Sequence, residues 1–304
     1  MKHYKFIDYA TQGYMALVAL LILLEHNRTV EEWPYLVAGH IVGIGLVHWL
    51  IRAYAAGHPA RWLDWLRHLY PILLYIGFYR ETGALNEMFI TDYQDPWFIR
   101  LEHRLFGQQP CLVFMESLPY LLVSEVFYAS YFSYYLMIAG VGLALFLRDR
   151  RQFFHYVSVV SFVFYICYLV YIHLPVMGPR CLFRAVEGYQ LSDDVQALVG
   201  SPAFPAAVQV GPFYNLMAFI YRCFEGPGAA FPSSHVAAAL CTLYFSFRYL
   251  PKIRYAHLVL VLLLCLSTVY CRYHYAVDVF GGAVAASLLV PLGNWLFFKF
   301  EKRS

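Results

Sequence analysis

Eight long apolar runs constrain this chain more than any other feature. A helix that crosses a lipid bilayer needs about 20 mostly apolar residues, and such runs recur along the 304-residue sequence. Only 13% of the residues are charged, whereas soluble domains carry about 25%. The sequence therefore predicts an all-α polytopic transmembrane helix bundle, with spans at roughly 9–25, 35–55, 66–80, 119–147, 153–175, 232–250, 254–273 and 276–298.

The weakest of these spans is 66–80, because Arg67, His68 and Arg80 crowd it. Two other segments, 97–106 and 212–224, are amphipathic or too short to cross, and we expect interfacial helices there, in the outward loops. We divide the chain into N-terminal membrane helices with an interfacial segment (1–118) and a catalytic core (119–304), both within one integral-membrane unit.

The basic residues indicate how the bundle is oriented. Both termini and the connections after the second, fourth and sixth spans hold most of the lysine and arginine, and short basic loops remain cytoplasmic. We therefore expect a multi-pass protein of the cell membrane with 176–231 and 271–276 on the extracytoplasmic side. The basic residues form no continuous face, which argues against a nucleic-acid partner. The seven cysteines include no CxxC pair and indicate neither a disulfide framework nor a zinc site.

The sixth span opens with Pro232-Ser233-Ser234-His235. Proline suits the first position of a helix. The amides of Ser233, Ser234 and His235 would then be free at a helix start, where anions such as phosphate bind. The alternative is a membrane helix that begins with proline and serine and carries an interfacial histidine without a ligand.

His274 and Asp278 are four residues apart, so they share one face of a helix. A carboxylate that accepts from one imidazole nitrogen fixes the tautomer and leaves the other nitrogen nucleophilic, as in a catalytic triad. The alternative is that Asp278 only caps the start of the eighth span, which is favourable near a helix N-terminus.

Two arginines complete the candidate site. Arg180 follows the fifth span on the outward side, and a guanidinium fits two phosphate oxygens at once; the alternative is a snorkelling arginine beside a turn. On a continuous helix Arg272 and His274 would point about 200° apart, so both face one ligand only if the helix ends or bends there. Together these groups predict a phosphate-ester site in which one histidine is the nucleophile and the other protonates the leaving oxygen.

With these residues the sequence resembles the type-2 phosphatidic acid phosphatase superfamily, whose motifs are KxxxxxxRP, PSGH and SRxxxxxHxxxD. PSSH at 232–235 matches the second motif, with serine for glycine at 234. His274 and Asp278 match the end of the third motif, and Gly281-Gly282 follow as is usual. The resemblance covers roughly 120–298 and implies a six-helix phosphatase-like core.

The resemblance also implies a role for each residue of the site. His274 would be the nucleophile, Asp278 would orient it, and His235 would be the acid–base partner. It implies no metal or other cofactor, since cationic and amide groups would hold the phosphate: Arg180, Arg272, Ser233 and Ser234.

The sequence also departs from the first and third superfamily motifs at three positions. His173 stands where the first motif has lysine, Cys181 follows Arg180 in place of proline, and Thr268 takes the arginine place of the third motif. Arg272 lies one helical turn after Thr268 and would reach the same phosphate. The departures argue against ordinary lipid phosphatase behaviour.

Three strings resemble one branch of the superfamily, the inositol phosphorylceramide synthase-like branch, which transfers a head group rather than hydrolysing it. They are Gly178-Pro179-Arg180, RYHYxxD at 272–278, and DPWFIRLEHRLFG at 95–107. The branch resemblance implies an inositolphosphotransferase-like enzyme that acts on a phospholipid or lipid phosphate through a phosphohistidine. Hydrolysis of phosphatidate or an isoprenyl phosphate is the alternative.

The expected partners are the lipid substrate, the surrounding membrane lipids and an alcohol or sugar acceptor. An acceptor pocket would be built from 81–118 and 182–230, with carboxylates as contacts for sugar hydroxyls: Asp92, Asp95 and Glu102.

Three other classes of protein remain as rivals. A transporter would carry its ionisable residues at mid-span and have broken helices in matching halves, whereas here they cluster at span ends. A metal site of His235, His274 and Asp278 has no HExxH motif or cysteine ligand set to support it. A degenerate family member that only binds lipid would show no turnover.

Overall fold

The computed structural model describes residues 3–26, 29–57, 59–182, 190–200, 203–224 and 228–302, without the side chains of 181 and 182. Within these residues the chain forms α-helices, two short 3-10 turns (Pro179–Leu182 and Ala206–Val208) and no strand, so the all-α prediction is confirmed. The helices are α1 (Phe6–Glu25), α2 (Trp33–Ala55), α3 (Arg61–Leu85), α4 (Asp95–Phe106), α5 (Pro110–Ser117), α6 (Leu121–Arg148), α7 (Arg150–His173), α8 (Asp193–Val199), α9 (Pro212–Phe224), α10 (Ser234–Tyr249), α11 (Arg254–Tyr270) and α12 (Ala276–Glu301).

Each of the eight predicted spans is a helix. Five of them, α1, α2, α6, α7 and α12, are long and apolar enough to cross a membrane by length and composition. Of the other three, α10 and α11 have 16 and 17 residues. The remaining helix, α3, has 25 residues but carries charges along its length. The polytopic bundle is confirmed, and α3 is its most polar long helix.

α7 is the central helix. It packs against α1, α3, α6, α10 and α12, and most of its side chains are buried. A helix that is apolar on all sides lies inside a bundle rather than at its edge. Residues 119–304 contribute α6, α7, α10, α11 and α12, and α3 packs on α7 from the preceding part of the chain. The six-helix core stays a prediction.

The segments that the sequence assigned to the outward side lie together at one end of the bundle. There α7 and α11 end, α10 and α12 begin, and the short helices pack over them: α4 on α8 and α12, α5 on α11, and α9 on α6. Glu125 of α6 fixes the start of α9, because its carboxylate accepts from the amides of Phe213 and Tyr214 at 2.7 and 3.1 Å.

The two amphipathic segments both form helices, as predicted. On α4, Phe98 and Ile99 are buried in a cluster with Tyr275 and Val277, whereas Trp97 and Leu105 are 56% and 61% exposed. The division of the chain at 118/119 stays a prediction. α4 and α5, which precede it, pack directly on the helices that follow it.

Candidate active site

The start of α10 differs from its prediction. Ser233, not Pro232, caps the helix, and its hydroxyl accepts from the amide of Val236 at 3.3 Å. The amide of Ser233 donates to the carbonyl of Asp278 at 3.1 Å, and the amide of Ser234 donates to the Tyr171 hydroxyl at 3.1 Å. The expectation of free amides at Ser233, Ser234 and His235 is wrong for the two serines, because α12 and α7 pack close enough to use their amides.

The two histidines and the aspartate meet as the sequence predicts. His274 Nε2 lies 3.3 Å from His235 Nδ1, and His274 Nδ1 lies 3.4 Å from Asp278 Oδ2. Asp278 Oδ2 also accepts from the amide of Tyr275 at 2.8 Å. Asp278 therefore lies beside His274 and also caps α12, and its catalytic role stays a prediction.

Two consecutive glycines let α12 approach the start of α10. A Cβ on Gly282 would lie 2.5 Å from the Ser233 carbonyl oxygen, and one on Gly281 would lie 2.6 Å from the Phe231 ring. At Gly282 the contact is with backbone, so only glycine allows this approach, whereas a side chain at Gly281 would require the Phe231 ring to move. The approach sets the spacing between the His274–Asp278 face and His235.

The chain turns sharply between α11 and His274. Arg272 has a left-handed backbone conformation, with φ of 61°. The amides of Tyr273 and His274 both donate to the carbonyl of Thr268, at 3.1 and 3.0 Å. This is a Schellman-type helix end, in which the left-handed position is usually glycine. The helix thus ends before His274, which was the condition for Arg272 and His274 to face one ligand.

The turn directs Arg272 away from the histidines. Its side chain is fully buried and donates to the carbonyls of Cys111, Ala203 and Leu112 at 3.4, 3.0 and 3.3 Å. It also pairs with Glu116 at 3.2 Å. These bonds direct the guanidinium to α5 and to the segment at Ala203, so the structure does not bring it into the predicted phosphate cluster.

A buried carboxylate holds the loop that carries Arg180. Asp95 accepts from the amides of Met177 and Gly178 at 2.8 and 2.9 Å and from the Tyr275 hydroxyl at 2.9 Å. Gly178 has φ of 86°, and a Cβ there would lie 2.7 Å from the Tyr273 carbonyl oxygen. The loop before Arg180 is therefore fixed against the turn that carries His274.

Arg180 lies beside the histidines, as predicted. Its guanidinium carbon is 4.8 Å from the centre of the Tyr221 ring, a cation–π distance. Burial lowers the pKa of His274 to about 3; a hydrogen bond with the Ala230 backbone opposes this shift, and the charge of Arg180 contributes to it. At this pKa His274 is neutral at physiological pH, which is the protonation state that a nucleophile needs.

Sequence reasoning missed the tyrosines around His235. The Tyr131 hydroxyl lies 3.1 Å from His235 Nε2 and forms a short hydrogen bond with the Tyr221 hydroxyl. Tyr171 donates to the Pro232 carbonyl at 2.9 Å, in addition to its bond with Ser234. The chain has 27 tyrosines, and no local pattern distinguishes these three.

The space next to the histidines is small. A cavity of about 10 Å³ is lined by both histidines and by aromatic side chains that include Tyr79, Tyr221 and Tyr273. That volume holds about one water. A phosphate can enter only if some of these side chains change their positions.

The remaining predicted residues lie outside this cluster. His173 Nδ1 bonds to the carbonyl of Leu169 at 2.7 Å, its ring stacks on Phe89, and its side chain is exposed. Asp92 is exposed in the loop before α4.

Asp95 and Glu102 do not present carboxylates to an acceptor, because both are fully buried, and Glu102 accepts from the amide of Val277 at 3.0 Å. Of the predicted acceptor segments, 183–189, 201–202 and 225–227 lie outside the described residues. Among the residues that are described, no group of three or more His, Cys, Asp or Glu side chains could hold a metal ion.

The chain matches the family model described as the PAP2 superfamily over residues 96–292, more than half of its length. No match was found among curated proteins or among solved structures. The matched region contains His235, His274, Asp278 and Arg180, which the fold brings to one end of the bundle. The chain therefore belongs to the PAP2 superfamily, the type-2 phosphatidic acid phosphatases, and is an integral-membrane phosphatase or phosphotransferase that acts on lipid phosphates.

Proposed function

We propose that the protein transfers a phosphoryl-containing group from a lipid substrate to an alcohol through a phosphohistidine formed on His274. One observation carries the proposal. Nδ1 of His274 lies 3.4 Å from Asp278 Oδ2, while Nε2 lies 3.3 Å from the ring of His235. In this arrangement the Asp278 carboxylate orients the imidazole from the Nδ1 side and leaves Nε2 directed at the acid–base partner, His235.

In the first step, the lone pair of His274 Nε2 attacks phosphorus and the bond from phosphorus to the leaving oxygen breaks. His235, protonated beforehand, gives its Nδ1 proton to that oxygen, which leaves as a neutral alcohol. A bound phosphate anion favours this protonated form of His235. The Tyr131 hydroxyl, 3.1 Å from Nε2, accepts from the imidazolium on its other side.

In the second step, an acceptor hydroxyl attacks the phosphohistidine and His235 takes its proton. The phosphorus–nitrogen bond breaks, and His274 is restored. An alcohol acceptor gives transfer, and water gives hydrolysis. The departures at His173 and Thr268 and the likeness to the inositol phosphorylceramide synthase-like branch favour an alcohol, as in an inositolphosphotransferase.

The charge on the phosphate would be met mainly by Arg180. Its position over Tyr221 and beside His274 supports this role. Arg272 is assigned a different part: through its bonds to Cys111, Leu112 and Glu116 it holds α5 over the site. Ser233 acts through the cap of α10, not through a free amide.

We also propose that the site faces the extracytoplasmic side. Basic residues crowd the opposite end of the bundle, at the α6–α7 and α10–α11 connections and at the end of α12. Their placement supports a cytoplasmic location for that end.

The test uses purified protein in detergent with radiolabelled lipid phosphates and phospholipids, with and without inositol or another alcohol. We expect an acid-labile, base-stable label on wild-type protein, and a phosphorylated alcohol as product. His274→Ala should lose both, while His3→Ala, an exposed residue of the N-terminal segment, should retain both.

Each other outcome identifies a rival function. Free phosphate without alcohol product would indicate the hydrolase. Loss of activity with a chelator would indicate the metal site. Turnover that survives His274→Ala would contradict the phosphohistidine, and no turnover on any lipid would favour the lipid-binding or transport alternatives.

A further inference from the structure

A large apolar groove runs along the bundle from the candidate active site. Its volume is about 680 Å³, within the range of about 300–1,000 Å³ usual for ligand sites. Its lining on α6 extends from Phe132 to Phe146. At 1.5 Å per residue this is about 21 Å, roughly two thirds of the ~30 Å hydrocarbon core of a bilayer.

α3 and α6 form the sides of this groove, and α7, on which both pack, forms its floor. Trp65 and Ile76 of α3 and Leu143 of α6 line the groove and are 49%, 59% and 55% exposed. The groove is therefore open sideways, towards the region that membrane lipid occupies. Among the described residues that line it there is no aspartate, glutamate, lysine or arginine.

The two ends of the groove differ. At the far end the rings of Trp65 and Phe146 meet with 5.0 Å between their centres and close it. At the near end Ser234 and His235 line it. Tyr79, Tyr221 and His235 line both the groove and the small cavity that holds His274. An apolar passage of defined length thus leads to the acid–base histidine.

We infer that this groove binds the hydrocarbon chain of the lipid whose phosphate reacts at His274. The inference rests on the proposed function and adds the binding site of the lipid tail. The side opening lets a lipid enter from the bilayer, burial of its methylenes supplies affinity, and the shared wall at Tyr79 and Tyr221 lets its phosphate reach the histidines. The closed end at Trp65 and Phe146 sets the length of chain that fits.

α3 forms a side of this groove that lies outside the family match. The family match begins at residue 96, after α3 has ended. The side formed by Trp65, Ile76 and Tyr79 is therefore supplied by a part of the chain that the matched region does not contain. Chain-length preference in this protein is accordingly assigned to α3 as much as to the catalytic helices.

The test compares two adjacent tryptophan substitutions on α6. Ala139 is exposed and lines the groove, so Ala139→Trp fills it without displacing buried residues. Gly140 is also exposed, has open space around it and does not line the groove, so Gly140→Trp is the matched control. The probes are dioleoyl and dihexanoyl phosphatidate, which share a head group and differ in chain length.

For Ala139→Trp we expect kcat/KM for the dioleoyl probe to fall at least about tenfold, the loss expected when about two methylenes are no longer buried. The value for the dihexanoyl probe should change by less than about twofold. Gly140→Trp should leave both values near wild type. Trp65→Ala, which opens the far end, should increase turnover of undecaprenyl phosphate relative to dioleoyl phosphatidate.

The outcomes separate this inference from the proposed function. If Ala139→Trp lowers turnover of the long and short probes equally, or Gly140→Trp has the same effect, the groove does not bind the substrate chain although the chemistry stands. An unchanged chain preference in Trp65→Ala would also overturn the inference. Wild-type protein that acts on no lipid phosphate would instead contradict the proposed function.

Discussion

Asp278 lies beside Nδ1 of His274 and His235 lies beside Nε2, and the Asp278 side of this arrangement is the easier one to test. In Asp278→Asn the amide no longer attracts the Nδ1 proton, so the imidazole loses its preference for the tautomer with a free Nε2. We expect kcat to fall about 10²–10⁴-fold with a smaller change in KM, since binding through Arg180 is untouched.

Steady-state kinetics with a lipid phosphate would measure this effect. Asp193→Asn, at the exposed start of α8, is the control and should match wild type. A stability assay must accompany the kinetics, because Asp278 also caps α12. An Asp278→Asn enzyme with near-normal kcat would show that the carboxylate serves only as a cap.

At the scale of elements, the contact between α12 and the start of α10 determines the site. A Cβ at Gly282 would meet the Ser233 carbonyl oxygen at 2.5 Å and the Val236 Cβ at 2.9 Å. In Gly282→Ala the helices must separate, at a cost of about 1–3 kcal/mol. We expect a lower thermal midpoint and reduced activity, since the histidines move apart.

The control is Gly45→Ala on α2, which is exposed and has no atom within 4 Å of the added Cβ. It should leave activity unchanged and stabilise slightly, by up to about 1 kcal/mol, because alanine favours a helix interior. Equal stability of the Gly282→Ala and wild-type proteins would mean that this helix contact adapts without cost.

Glu102 links α4 to the start of α12 and makes that contact depend on pH. Burial raises its pKa from 4.5 to about 7. As the pH rises, the unfolded chain therefore releases this proton before the folded protein does. The contribution of protonated Glu102 to stability is fully present below about pH 4 and is lost as the pH rises to about 7. The loss amounts to about 3 kcal/mol at most.

Glu102→Gln keeps an oxygen for the Val277 amide but has no proton to release. Unfolding midpoints measured from pH 4 to pH 8 should fall more steeply for wild type than for this variant. If the unfolding midpoints of the two proteins change with pH in the same way, ionisation of Glu102 does not destabilise the fold. The contact between α4 and α12 would then not depend on pH through Glu102.

At the scale of the whole molecule, the bundle has a catalytic end and a basic end. Cys223 on α9 is exposed at the catalytic end, and Lys252 is exposed in the turn between α10 and α11 at the other. A membrane-impermeant maleimide added to intact cells should label wild-type protein at Cys223. A Cys181→Ser, Cys223→Ser, Lys252→Cys variant should be labelled only in inverted vesicles, and the reverse result would invert the proposed topology.

The sequence by itself determined the helices and the reactive groups. A membrane span must satisfy its own backbone hydrogen bonds, so each of the eight apolar runs formed a helix. The order of the spans along the chain then places His235, His274 and Arg180 at one end of the bundle. The four-residue spacing of His274 and Asp278 fixes their shared face. These inferences depend on local spacing and on the order of spans, which a sequence displays directly.

Only the tertiary structure decided how the groups around the histidines are used. The left-handed turn at Arg272 directs that side chain to Cys111 and Leu112, about 160 residues earlier in the chain. The amides of Ser233 and Ser234 are occupied by α12 and α7, and Tyr131 reaches His235 from α6. The groove likewise exists only because α3 and α6 pack on the same helix. These outcomes depend on which distant segments meet, and no local pattern in the sequence encodes such a meeting.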